Sequence, residues 1–83
     1  MRFDLALSGL RLFKSRSQAS LAIQDGVALL NGTVVKPGHG VKPGDHITLV
    51  SEAGTRTCEV LELPRASLSR EAARELVREV SRG

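Results

Sequence analysis

The densest chemistry in this 83-residue chain is the run Arg11-Leu12-Phe13-Lys14-Ser15-Arg16-Ser17-Gln18-Ala19, which sets three cations within six residues. Ser15-Arg16-Ser17-Gln18 has the S-x-x-Q form of a capping box, so a helix should open there. A helix start presents unpaired N–H groups and the positive end of a dipole, and Arg11, Lys14 and Arg16 would surround it with full charges. Such a place suits a phosphate. Arg2 can join it from an earlier helix start, the Ser15 and Ser17 hydroxyls and Gln18 can assist, and Lys36, His39 and Lys42 can extend it from a later loop.

Other reactive side chains do not assemble into a recognisable centre. His39 and His46 have no Cys or His partner at ligand spacing, and Asp45 and His46 fall on opposite faces of a strand start. There is no P-loop, no Ser-His-Asp set and no carboxylate pair in an expected cleft. The single Cys58 rules out an internal disulfide framework or a cysteine-based zinc site and reads as a small core residue in a strand. No cofactor, no metal and no catalysis are therefore expected. Asp4 should cap the first helix or pair with a local cation.

Charge is unevenly placed. The first 50 residues hold six cations (Arg2, Arg11, Lys14, Arg16, Lys36, Lys42) against Asp4, Asp25 and Asp45, whereas residues 51–83 hold six Arg against six Glu. The whole formal charge of +3 thus lies in the N-terminal part, which suggests a polyanion-facing surface there. Two Phe with no Tyr or Trp argue against a platform on which bases stack. No apolar run approaches the roughly 18 residues of a membrane span, and the start lacks a signal-peptide core, so a soluble cytoplasmic protein is expected.

These residues need elements to position them. Phe3, Ala6, Leu7 and Leu10 recur at helical spacing and predict a short first helix, weakened at its end by Gly9. A second helix should run from the Ser15 cap to Gln24 or Asp25, bury Ala19, Ala22 and Ile23, and stop at Gly26. Val27–Leu30, the Asn31-Gly32 turn and Thr33–Val35 predict a hairpin. Lys36 to Asp45 reads as a Pro/Gly loop, followed by strands from His46 to Val50 and from about Thr55 to Leu63. The remainder predicts a helix from Ser67 or Ser69 to Val80. Its apolar stripe would be Leu68, Ala72, Leu76 and Val80, and Arg70, Arg74 and Arg78 would lie beside Glu71, Glu75 and Glu79 as a solvated, salt-bridged face, in preference to the alternative of an RNA-contacting arginine stripe. The expected architecture is α+β: two N-terminal helices packed on a small antiparallel sheet, plus a C-terminal helix.

Arg2-Phe3-Asp4, Lys14-Ser15-Arg16-Ser17-x-Ala19, Gly26-Val27, Asn31-Gly32 and Gly44-Asp45-x-Ile47 together resemble the landmarks of the S-four-type RNA-binding domain, or alpha-L motif. The resemblance runs from Met1 to about Val50. Arg11 to Ser17 and Val35-Lys36-Pro37 are most similar to the small stand-alone members, the heat-shock-protein-fifteen group and the short ribosome-associated quality-control proteins. Two features depart from the heat-shock group: Leu5 to Leu10 lacks its tryptophan, and the charge-balanced end replaces its long basic extension.

The resemblance implies an S-four-type domain over residues 1–63, with residues 64–83 packed on or extending it. It also implies binding to ribosomal RNA of the large subunit and to tRNA, in rescue or quality control of stalled peptidyl-tRNA complexes; a monomer is expected. Arg2, Arg11, Lys14, Ser15, Arg16, Ser17, Gln18, Lys36, His39 and Lys42 would form the RNA surface. Domains of this type often precede a catalytic domain, for which this chain is too short. The competing readings are an accessory subunit of a separate RNA-modifying enzyme, a ribosome-assembly factor, and a protein-interaction module built on the terminal helix.

Overall fold

The computed structural model describes residues 1–65 and 68–83. Its order is α1 (Phe3–Gly9), α2 (Arg16–Gln24), β1 (Ala28–Leu30), β2 (His46–Ser51), β3 (Gly54–Val60), α3 (Arg70–Arg74) and β4 (Val77–Arg82). The four strands form one antiparallel sheet in the order β1-β2-β3-β4. The α+β architecture read from the sequence is the one found.

The two N-terminal helices begin and end where the local chemistry dictates. Phe3, Ala6, Leu7 and Leu10 of the first, and Ala19, Ala22 and Ile23 of the second, are buried with Ala28, Leu30, Ile47 and Val60 of the sheet. Burying a side chain the size of Leu7 or Ile23 contributes about 1.5–3 kcal/mol. Gly9 is required by close approach, because a Cβ there would sit 2.6 Å from Pro64 Cγ. Ser15 caps α2, its Oγ accepting the Gln18 N–H at 3.2 Å. Among the described residues the reciprocal bond from the Gln18 side chain is not made, so only the serine half of the box is closed.

Both helices end in the same Schellman arrangement. At the end of α2, the Gly26 N–H donates to Ile23 O and the Val27 N–H to Ala22 O, with Gly26 at φ 76°. At the end of α1, the Arg11 N–H donates to Ser8 O and the Leu12 N–H to Leu7 O, but here an arginine holds the left-handed position, at φ 61°. A side chain in that conformation costs about 1–2 kcal/mol relative to glycine.

Two expectations are corrected. The hairpin turn forms with Asn31 and Gly32 both at positive φ, but its second strand shrinks to one bridge, Leu30 with Thr33. The ladder partner of β1 is instead β2, with Ala28 opposite Leu49 and Leu30 opposite Ile47. The chain leaves β1 because Pro37 has no N–H and because the loop's carbonyls are needed elsewhere: His39 O and Pro37 O accept the Phe3 and Asp4 N–H groups, 2.8 and 3.1 Å, and so cap α1. Asn31 ties the turn to β2 by donating to Asp45 Oδ1 at 3.2 Å and accepting the His46 N–H at 2.9 Å.

The second correction concerns the C-terminal helix. Of the two expected starts, Ser67 lies outside the described residues; Ser69 is the cap, accepting the Ala72 N–H at 3.1 Å. The helix ends at Arg74, and Val77–Arg82 becomes β4. A helix to Val80 would have left the outer edge of β3 without backbone partners; as a strand, the segment pairs Val77 with Val60, Arg78 with Glu59 and Glu79 with Cys58. Between Glu79 and Ser81 the register shifts and Val80 is bulged out, exposed. The Arg and Glu residues pair across strands rather than along a helix: Arg78 with Glu59, and Arg56 with Glu79. β3 is correspondingly shorter than expected, closing at Val60.

Candidate nucleic-acid interface

Two helix starts lie side by side, and a buried carboxylate joins them. Asp4, in the first turn of α1, receives Arg2 Nε on Oδ1 and Arg2 Nη2 on Oδ2, both at 3.1 Å, and Arg16 Nε on Oδ2 at 3.2 Å. Its Oδ1 also accepts the Leu5 N–H at 2.7 Å. The Asp4 side chain is 3% exposed, whereas those of Arg2 and Arg16 are 49% and 51% exposed. Burial alone would raise the carboxyl's pKa, but the hydrogen bonds from Arg2, Arg16 and the Leu5 N–H, with the Arg16 charge, hold it below its ordinary 3.8. Arg16 is thus held through its Nε and Arg2 through its Nε and Nη2, while both side chains stay about half exposed.

Around this bracket the cations line two adjoining depressions. One, of about 410 Å3, is walled by Arg11, Lys14, Ser15 and Arg16, with Leu5 and Pro64 on its apolar side. The other, about 500 Å3, is walled by Arg2, Asp4, Arg16 and Ser17. The first N–H groups of α2, on Arg16 and Ser17, have no intrahelical partner; Arg16 lines both depressions and Ser17 the second. Arg11, in its left-handed position, donates from Nε to Leu68 O at 2.8 Å, which turns its charge along the same surface.

Of the residues read from the sequence, Arg2, Arg11, Lys14, Ser15, Arg16 and Ser17 are therefore brought together. Gln18 is exposed one turn into α2 and contributes its N–H to the cap. Lys36, His39 and Lys42 are exposed on the loop that caps α1 and line neither depression; the loop touches the site where the Arg2 guanidinium lies over Gly38. Asp4 reaches further than its sequence position suggests. It was expected to serve its own helix or a local cation, and it also holds Arg16, twelve positions away. The available signal was an acid in the first turn of one helix and an arginine in the first turn of the next.

The arrangement offers fixed, partly solvated guanidinium donors, a lysine and a helix N-terminus on one concave surface. Such a set suits phosphate oxygens along a backbone. Among the described residues no group of three or more His, Cys, Asp or Glu side chains could hold a metal, and no helix is long and apolar enough to cross a membrane.

Comparison with known proteins gives the same direction. Residues 1–47 match the family model for the S4 domain. The chain is 36% identical over 73 residues to the RQC P-site tRNA stabilizing factor of Bacillus subtilis strain 168, covering 88% of this chain and 85% of that protein. Its fold is similar to the trimeric structure of heat shock protein 15 from Vibrio cholerae, with a TM-score of 0.90 and 28% identity, covering 98% of this chain and 82% of the other. The match spans both helix starts, the Asp4 bracket and β1, and on it the chain belongs to the S4 family of RNA-binding domains.

Proposed function

We propose that this protein binds structured ribosomal RNA and tRNA on the large ribosomal subunit and acts, without catalysis, in rescue or quality control of stalled peptidyl-tRNA complexes in the cytoplasm. The observation that carries the proposal is the Asp4 bracket, which presents Arg2 and Arg16 as pre-oriented phosphate ligands beside the α2 N-terminus. Arg11 and Lys14 extend the grip, the Ser15 and Ser17 hydroxyls assist it, and Lys36, His39 and Lys42 add long-range attraction from the loop. The reading is of RNA shape and backbone: Phe3 is buried in the core, and Phe13 packs against it, partly buried, in the narrow cleft beside Arg11 and Lys14. The similarity to a factor named for stabilising P-site tRNA supports the ribosomal setting. We also propose a monomer as the binding unit.

Sedimentation of a tagged copy from lysate, with crosslinking of the bound RNA, tests the setting. Co-migration with large subunits holding peptidyl-tRNA is expected, and exclusive recovery of small-subunit or messenger RNA would reject it. For about five phosphate contacts, the slope of log K against log salt should be about −3.5 to −4.5. Arg16→Ala should weaken binding about 10- to 100-fold, as expected for loss of a charge-assisted contact, while leaving the fold intact.

A further inference from the structure

A second cationic cleft lies on the far side of Arg11. It occupies about 570 Å3 between the α1–α2 turn, α3 and the edge of the sheet, and its polar walls are Arg11, Arg56, Arg70, Arg74 and Arg82 with Glu79. Five guanidinium groups face one carboxylate. Arg56 Nε and Arg82 Nε both donate to the same Glu79 oxygen, at 3.3 and 3.2 Å, so this acid is already shared. Arg70 and Arg74 stand one turn apart on α3 and are exposed. The floor is apolar, formed by Leu10, Leu12 and Val77. A narrower cleft containing Arg11, Lys14 and Arg70 joins it to the first site.

We infer that this cleft takes the phosphate backbone of a second RNA segment, so that the domain grips two strands with Arg11 as the wall between them. The inference rests on the reading of the first site as RNA-binding. The cationic wall is all arginine, whose forked donors meet phosphate and carboxylate oxygens alike in pairs, so position decides for phosphate. The cleft is continuous with the site proposed for RNA. In the sequence these arginines look neutralised by the Glu rows. The turn of the chain into β4 separates them, sending Arg78 to Glu59 and leaving Arg70 and Arg74 on the cleft.

The test follows the arginine Nε–H resonances of the isotope-labelled full chain during titration with an RNA stem-loop, then with poly-glutamate. The resonances of Arg56, Arg70, Arg74 and Arg82 are expected to shift with RNA in the wild type. They should still shift in Arg16→Ala, at about 10- to 100-fold higher RNA concentration. The variant Arg70→Gln/Arg74→Gln/Arg82→Gln should keep RNA-induced shifts at Arg2 and Arg16 and return a wild-type salt slope, steeper by about two, to the value expected of the first site alone. No shift at the cleft arginines, or an equal response to poly-glutamate, overturns the inference. Failure of Arg2 and Arg16 to respond to RNA would instead overturn the reading of the first site.

Discussion

The molecule uses the same small device twice, one carboxylate holding two arginines, at two very different depths. Asp4 holds Arg2 and Arg16 from within the core, 3% exposed; Glu79 holds Arg56 and Arg82 from the surface, 46% exposed. A buried acid with several charge-assisted donors is expensive to disturb, and it fixes the direction of the guanidinium groups before any ligand arrives. An exposed pair is screened by water and salt and contributes at most about 1 kcal/mol, so its arginines are free to exchange the carboxylate for a phosphate. Depth therefore separates a preorganised grip from an adaptable one.

The largest effect should come from Asp4→Asn. It removes the anion but keeps the volume, and should cost about 1.5–3 kcal/mol in urea unfolding and at least about tenfold in RNA affinity. An Asp4→Asn protein that binds RNA like the wild type would break the distinction between the two devices. Next is Arg11→Gly, which relieves the left-handed backbone while deleting the charge common to both clefts. Stability should stay within about 1 kcal/mol of wild type, because the relief offsets the lost bond to Leu68. Affinity should fall several-fold, read by fluorescence anisotropy.

Acid supplies a graded version of the first experiment. The Asp4 pKa is held below 3.8 in the folded chain, so its stabilising contribution is complete above its unfolded value and disappears as pH falls through the folded one. The stability gap between wild type and Asp4→Asn should be constant above about pH 5 and close progressively below about pH 4. The smallest effect belongs to Glu79→Gln: a stability change within about 0.5 kcal/mol, and an RNA affinity that rises rather than falls because the cleft loses its one anion. A loss of affinity there would show that Glu79 orients its arginines as Asp4 does.

What could be read in the sequence was set by how local its cause is. The Ser15 cap, the Gly26 stop and the Asn31-Gly32 turn are each dictated by one or two residues, and all three are in place. Cys58 in a strand and Phe3 in the core follow from alternation and spacing. The last strand was hidden because alternating Arg and Glu satisfy helical i, i+3 pairing and cross-strand pairing alike; the unpaired edge of β3, a non-local fact, decided between them. The same holds for the site. The cation run was legible as a charged helix start, but the hold of Asp4 on Arg16 depends on two helices packed through the small Ala19 and Ala22, which no single segment reveals.

The bulge at Val80 also bears on self-association. A flat outer strand would offer a row of free N–H and C=O groups to any neighbouring chain. On β4 that row is interrupted where the register shifts, and the flanking Arg78, Glu79 and Arg82 put charge along the edge. β1, at the opposite edge, is three residues long and partly covered by the bridge to Thr33. Both borders of the sheet are thus poor templates for a further strand.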